Sequence, residues 1–98
     1  MNNSIYYYPK IKKIADTYGY DTQSRQCIEE MAELTQAINK AWRMGNDFDN
    51  LLVQKRNIKE EIADVQIMLW QMEYLLNADV TPIIEKKLDR QLERIESE

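Results

Sequence analysis

Residues 59–72 place two acids, Glu61 and Asp64, in an otherwise apolar helical stripe. In an α-helix, where each residue advances about 100°, Val65 and Met68 lie within about 40° of Glu61. Asp64 lies about 60° to the other side of Glu61 by the same geometry. This stripe should face the core, where a charge costs free energy unless a counter-charge pairs with it. The segment therefore predicts a partner for both carboxylates.

A second acidic pair, Glu30 and Glu33, lies at the edge of another apolar helical stripe. Its spacing of i, i+3, like that of Glu61 and Asp64, places both carboxylates on one helix face. None of these four acids has a lysine or arginine at a neighbouring position of its own helix. The adjacent Glu29 and Glu60 each have an arginine four residues earlier. The pattern indicates that the four acids, Glu30, Glu33, Glu61 and Asp64, bind something other than a local cation.

The free energies favour a metal ion as that partner. Two like charges about 6 Å apart at an effective dielectric constant near 20 repel by roughly 3 kcal/mol. Oxygen-only ligands suit hard cations, so we expect Mg²⁺, with Mn²⁺ as the alternative. Such a site binds polyphosphates and activates water for attack on phosphorus. The chain has no histidine and one cysteine, which argues against di-iron and zinc sites.

An alternative role for the four acids is to form salt bridges with basic residues of other helices. Lys87, Arg90 and Arg94 are candidates, because they share one side of the last predicted helix. In that case the chain would be a small helical interaction or regulatory protein, and its acids would be structural. A nucleotide hydrolysis assay distinguishes the two hypotheses.

The apolar periodicity predicts an all-α chain of four helices. The predicted helices run to about Tyr18, from Asp21 to Met44, from Leu51 to Leu76, and from Thr81 onward, with Gly19, Gly45 and the loop 46–50 between them. The third is apolar on most sides, and a helix of that kind is usually buried on most sides. Four helices of 98 residues can hardly surround it, so we expect subunits to share it.

Composition limits the remaining functions. A net charge of −4 argues against nucleic acid and anionic membranes as partners. The single Cys27 excludes an intrachain disulfide and fits a cytoplasmic location. The longest apolar run is too short to span a bilayer. The length predicts a single domain, 1–98.

The two acidic motifs resemble those of the MazG-type all-α nucleoside triphosphate pyrophosphohydrolases. That family carries Glu-x-x-Glu on one helix and Glu-x-x-Asp on the next. Here the motifs are Glu30-x-x-Glu33 and Glu61-x-x-Asp64, separated by 27 residues. The similarity covers roughly residues 18–94, which makes the chain resemble a single MazG-like domain.

The resemblance implies a function and assigns roles to residues. The four acids would hold magnesium, and a (deoxy)nucleoside triphosphate would be cut into a monophosphate and pyrophosphate. The chain would form a homodimer or homotetramer of helical bundles, with Lys87, Arg90 and Arg94 contacting phosphate. Lys40 occupies the position where some relatives carry a base-stacking aromatic residue, with Trp42 two residues on. Lys40 lies about one turn beyond the acidic edge and could instead reach a phosphate.

Overall fold

The described part of the chain, residues 3–45 and 48–98 of a computed structural model, contains three helices and no strand. They are α1 (Asn3–Met44), α2 (Phe48–Leu75) and α3 (Thr81–Ser97). The predicted all-α class is confirmed. None of these helices combines the length and the apolar character needed to cross a membrane.

The predicted count of four helices is wrong, because the first two predicted helices form the single element α1. Gly19 interrupts its geometry with φ 81° and ψ 170°, a conformation that glycine adopts without steric strain. The residues on both sides of Gly19 are helical, so the predicted break is a kink and not a loop. The kink divides α1 into an N-terminal arm, residues 3–18, and a C-terminal arm, residues 20–44.

The N-terminal arm extends to Asn3, six residues before Pro9. Aromatic contacts with α2 stabilise the residues before Pro9. The ring of Tyr7 stacks on Trp70 with centroids 5.5 Å apart, and Tyr8 meets Tyr74 edge-on at 5.8 Å. Pro9 is the seventh residue of α1 and lies inside the helix, where it cannot donate the helical hydrogen bond to the carbonyl of Ile5.

The core lies between α1 and α2. Its buried apolar side chains come from both arms of α1 and from the middle of α2: Ile11, Ala15, Cys27, Val65 and Met68. A hydrogen bond of 2.7 Å from the Gln23 amide to Oε1 of Gln71 also crosses this contact and is buried. Because a buried amide without a partner costs about 1–3 kcal/mol, this bond favours one register of α1 against α2.

The connection from α2 to α3 differs in detail from the prediction. Asn77, with φ 50°, ends α2, and the N–H groups of Asn77 and Ala78 donate to the carbonyls of Tyr74 and Glu73. These two bonds form a Schellman motif. The N–H of Thr81, the first residue of α3, donates to the Asp79 side chain. Of the predicted loop 46–50, residues 46 and 47 lie outside the described residues, and the rest is helical, because α2 begins at Phe48 and not at Leu51 as predicted.

Helix α3 packs against neither α1 nor α2. It has no buried residue, although its sequence carries an apolar stripe. The exposed fraction of the side chains in this stripe runs from 49% at Ile84 to 66% at Ile95. Within one chain, α3 therefore has no partner surface among the described residues.

Candidate metal and phosphate site

The C-terminal arm of α1 and the middle of α2 bring three of the four acids together. One carboxylate oxygen each of Glu30, Glu33 and Glu61 lies within 4.8 Å of the other two. The helical periodicity explains this, because Glu30 and Glu61 border the stripes through which α1 and α2 pack. The two motifs, distant in sequence, thus form one cluster.

Two atoms of this cluster are buried without a hydrogen-bond partner. They are Oε2 of Glu30 and Oε2 of Glu61. The other oxygen of Glu30 accepts a hydrogen bond of 2.8 Å from the Gln26 amide, which restrains the carboxylate. Buried carboxylate oxygens are normally paired, so these two atoms are candidate ligands for a cation.

Electrostatic repulsion within the cluster acts on Glu33. The charge of Glu30 is the largest cause that raises the pKa of Glu33, followed by partial desolvation and by the charge of Glu61. A raised carboxyl pKa means that the cluster stabilises a bound proton or another cation. The electrostatics therefore agree with the orphaned oxygens.

Asp64 lies at the border of the cluster. It does not belong to the group of three close oxygens. Partial desolvation is the main cause that raises the pKa of Asp64, and the charges of Glu30 and Glu60 add to it. Asp64 is thus close enough to Glu30 to feel its charge, while its side chain remains exposed.

A surface cavity of about 390 Å³ opens beside the cluster. Glu33 and Glu61 line one part of it, and Lys40 and Arg43 line another. The structure therefore brings Lys40, a predicted substrate-binding residue, to the same cavity as two of the acids. The sequence analysis missed Arg43, whose signal was its spacing of i+3 from Lys40.

The predicted basic residues of α3 are not at this site within one chain. Lys87, Arg90 and Arg94 lie on α3, which has no packing contact with α1 or α2. The ion pair found among the described residues joins Lys12 to Asp16, at 2.8 Å, away from the cluster. Among the described residues, no lysine or arginine forms a salt bridge with any of the four acids. Salt bridges within that part of the chain therefore do not account for the placement of these acids.

Comparisons with protein-family models, with curated proteins and with solved structures found no match to this chain. The resemblance to MazG-type enzymes consequently depends on the two acidic motifs themselves.

Proposed function

We propose that the chain is a magnesium-dependent hydrolase that converts a (deoxy)nucleoside triphosphate into its monophosphate and pyrophosphate. One observation carries the proposal: three carboxylate oxygens lie within 4.8 Å of one another, and both Glu30 and Glu61 contribute a buried oxygen without a donor. A cavity with two basic side chains adjoins these acids. Acids beside bases are what a site for a metal-bound polyphosphate requires.

The donor set fits a hard divalent cation. Glu30, Glu33 and Glu61 would hold Mg²⁺, or Mn²⁺ as the alternative, since carboxylate oxygens are preferred ligands of both. When bound, the ion neutralises phosphate charge and lowers the pKa of a water molecule. Asp64 borders the cluster without belonging to the close group, and we infer that it accepts the proton of the attacking water.

The basic side chains of the cavity would orient the substrate. Lys40 and Arg43 share the cavity with Glu33 and Glu61, so they can contact phosphate oxygens beside the acids. An arginine binds phosphate through two parallel hydrogen bonds, and a lysine acts as a point charge. The site of cleavage, between the α and β phosphates, is inferred from the MazG resemblance.

Assembly into a homodimer or homotetramer belongs to the same proposal. Large apolar side chains are exposed on both packed helices, among them Trp42 of α1, which is 77% exposed, and Leu69 of α2. Large apolar side chains exposed in this number favour an interaction site. A second copy of the chain would cover it. We place the enzyme in the cytoplasm, in agreement with its single buried cysteine.

A panel of nucleoside triphosphates tests the activity directly. Each nucleotide is incubated with the protein and Mg²⁺, and the products are identified by ion-exchange chromatography. Monophosphate and pyrophosphate in equal amounts are expected for at least one nucleotide. Diphosphate and free phosphate would place the cut at the other bond, and no product from any nucleotide would overturn the proposal.

The exposed apolar surfaces also favour a second candidate, a non-enzymatic interaction or regulatory protein. Its acids would then serve structure alone. This candidate predicts no hydrolysis in the nucleotide panel, and it predicts that neutralising the acids does not stabilise the protein in the presence of a chelator.

A further inference from the structure

Helix α3 presents an apolar stripe that nothing in its own chain covers. Ile84, Leu88 and Ile95 lie within about 40° of arc on an α-helix, and Leu92 extends the stripe by about another 40°. All four side chains are about half exposed or more. Since an apolar helix face is normally buried, this stripe calls for a partner.

The two edges of the stripe carry opposite charges. Measured from Ile84, the acidic side chains of Glu85, Glu96 and Asp89 lie at about +100° to +140°. The basic side chains of Lys87 and Arg94 lie at about −60° and −80°. An apolar stripe between one acidic and one basic edge is typical of a helix that pairs with another helix.

We propose that α3 pairs in parallel with α3 of a second copy of this chain. In a parallel two-fold pair, the left edge of the stripe on one helix faces the right edge of the stripe on the other helix. The acidic edge of each α3 then faces the basic edge of the other. An antiparallel two-fold pair would instead place acid against acid and base against base.

The heights of the charges along the helix fit the parallel arrangement. Glu85 lies two residues from the Lys87 position, and Glu96 lies two residues from the Arg94 position, which is about 3 Å along the axis in each case. Glu85 and Glu96 therefore each meet a base at nearly their own level when two copies pair in register.

Another apolar surface that α3 could cover on a second copy matches less well. It is a groove of about 620 Å³ between the N-terminal arm of α1 and α2, with Ile14, Ile62 and Trp70 in its lining. The charged side chains in its lining are Lys10 and Lys59. Both are basic, so the groove complements only the acidic edge of α3.

This pairing is independent of nucleotide hydrolysis. It also assigns Lys87 and Arg94 to contacts between copies, which agrees with their separation from the acids within one chain.

Cysteine crosslinking in the full-length protein tests the orientation. In a parallel pair, each stripe position faces itself, at a Cα separation within the roughly 4.4–6.8 Å that a disulfide spans. Ile84→Cys and Ile95→Cys should each give a disulfide-linked dimer under mild oxidation. Glu93→Cys, on the opposite side of the helix, is the matched control, and the native Cys27 is buried. Crosslinking at Ile95→Cys that is no faster than at Glu93→Cys would overturn the proposal.

Charge exchange tests the two edges. The variant Glu85→Lys/Glu96→Lys makes both edges basic, and Lys87→Glu/Arg94→Glu makes both acidic. Measured separately by sedimentation equilibrium, each double variant should have a dimer dissociation constant about tenfold higher than that of the wild type. The reason is that attraction between the edges becomes repulsion. An equimolar mixture should restore association. Unchanged association of the separate variants, or no restoration on mixing, would contradict the proposal, and circular dichroism checks that both fold.

Discussion

Glu30 on α1 and Glu61 on α2 belong to one cluster of close oxygens, and each has a buried Oε2 atom that no hydrogen-bond donor in the described chain reaches. This relationship joins two helices through a shared excess of negative charge. The carboxylates repel one another in the metal-free protein, and a bound cation would relieve that repulsion. The first two predictions follow from the repulsion, and the next two follow from the binding of a cation and of phosphate.

Replacing Glu61 by glutamine should stabilise the metal-free protein while abolishing activity. The change removes repulsion from Glu30 and Glu33, so we expect a gain of about 1 kcal/mol in the free energy of unfolding. For a domain of this size, that gain raises the melting temperature by about 4–8 °C. The measurement is thermal unfolding in chelator, beside nucleotide hydrolysis in Mg²⁺. Glu29→Gln, an exposed acid outside the close group whose charge shifts neither Glu33 nor Asp64, is the control that should change neither.

The free energy of unfolding should depend on pH through the protonation of Glu33 and Asp64. Repulsion from Glu30 raises the pKa of Glu33, and partial desolvation raises the pKa of Asp64, above the ordinary values of 4.5 and 3.8. The folded chain then holds these protons more tightly than the unfolded chain. Their contribution to stability is therefore fully present below those ordinary values and is lost as the pH rises through the raised folded pKa.

The difference between the wild type and Glu33→Gln/Asp64→Asn isolates this contribution, measured by denaturant unfolding in chelator at several pH values. The Lys12–Asp16 pair acts in the opposite direction, because hydrogen bonds from Lys12 and Tyr74 lower the pKa of Asp16. That pair is common to both proteins and cancels in the difference. We expect the double variant to gain stability relative to the wild type as the pH rises, and a constant difference would contradict the assignment.

Magnesium should stabilise the folded chain through Glu30. A ligand that binds only the folded state adds about 2.7 kcal/mol at a hundred times its dissociation constant. Thermal unfolding across a Mg²⁺ titration should therefore show a rising melting temperature, independently of any activity. Glu30→Gln removes a ligand and should weaken Mg²⁺ binding at least about tenfold. Glu29→Gln, exposed and with Arg25 four residues earlier, should titrate like the wild type.

Arg43 should contribute to substrate binding and not to the stability of the fold. It is exposed and lines the cavity beside Glu33 and Glu61. Hydrogen bonds to charged groups contribute about 1.5–3 kcal/mol, so Arg43→Ala should raise KM for the triphosphate about tenfold or more, with an unchanged melting temperature. The exposed Arg56 on α2, which is not part of that lining, provides the control Arg56→Ala. Equal effects of the two variants on KM would argue against a phosphate contact at Arg43.

The sequence by itself determined the helical class and the pairing of acids on single helix faces. Both are local properties, because the period of 3.6 residues alone places Glu30 beside Glu33 and Glu61 beside Asp64. Glycine at position 19 likewise predicted an interruption of the helix. Whether that interruption is a loop or a kink depends on whether helical hydrogen bonding resumes at once, which the local pattern does not specify.

Only the tertiary structure decided which charged residues meet. The packing of α1 on α2 brings the carboxylates of Glu30 and Glu61 together and opens the cavity that Arg43 shares with Glu33 and Glu61. The same packing leaves α3 aside, so its basic residues do not reach the acids within one chain. These outcomes depend on contacts between residues far apart in sequence. Helical periodicity orders side chains around one helix, but it does not determine which faces of two helices pack together.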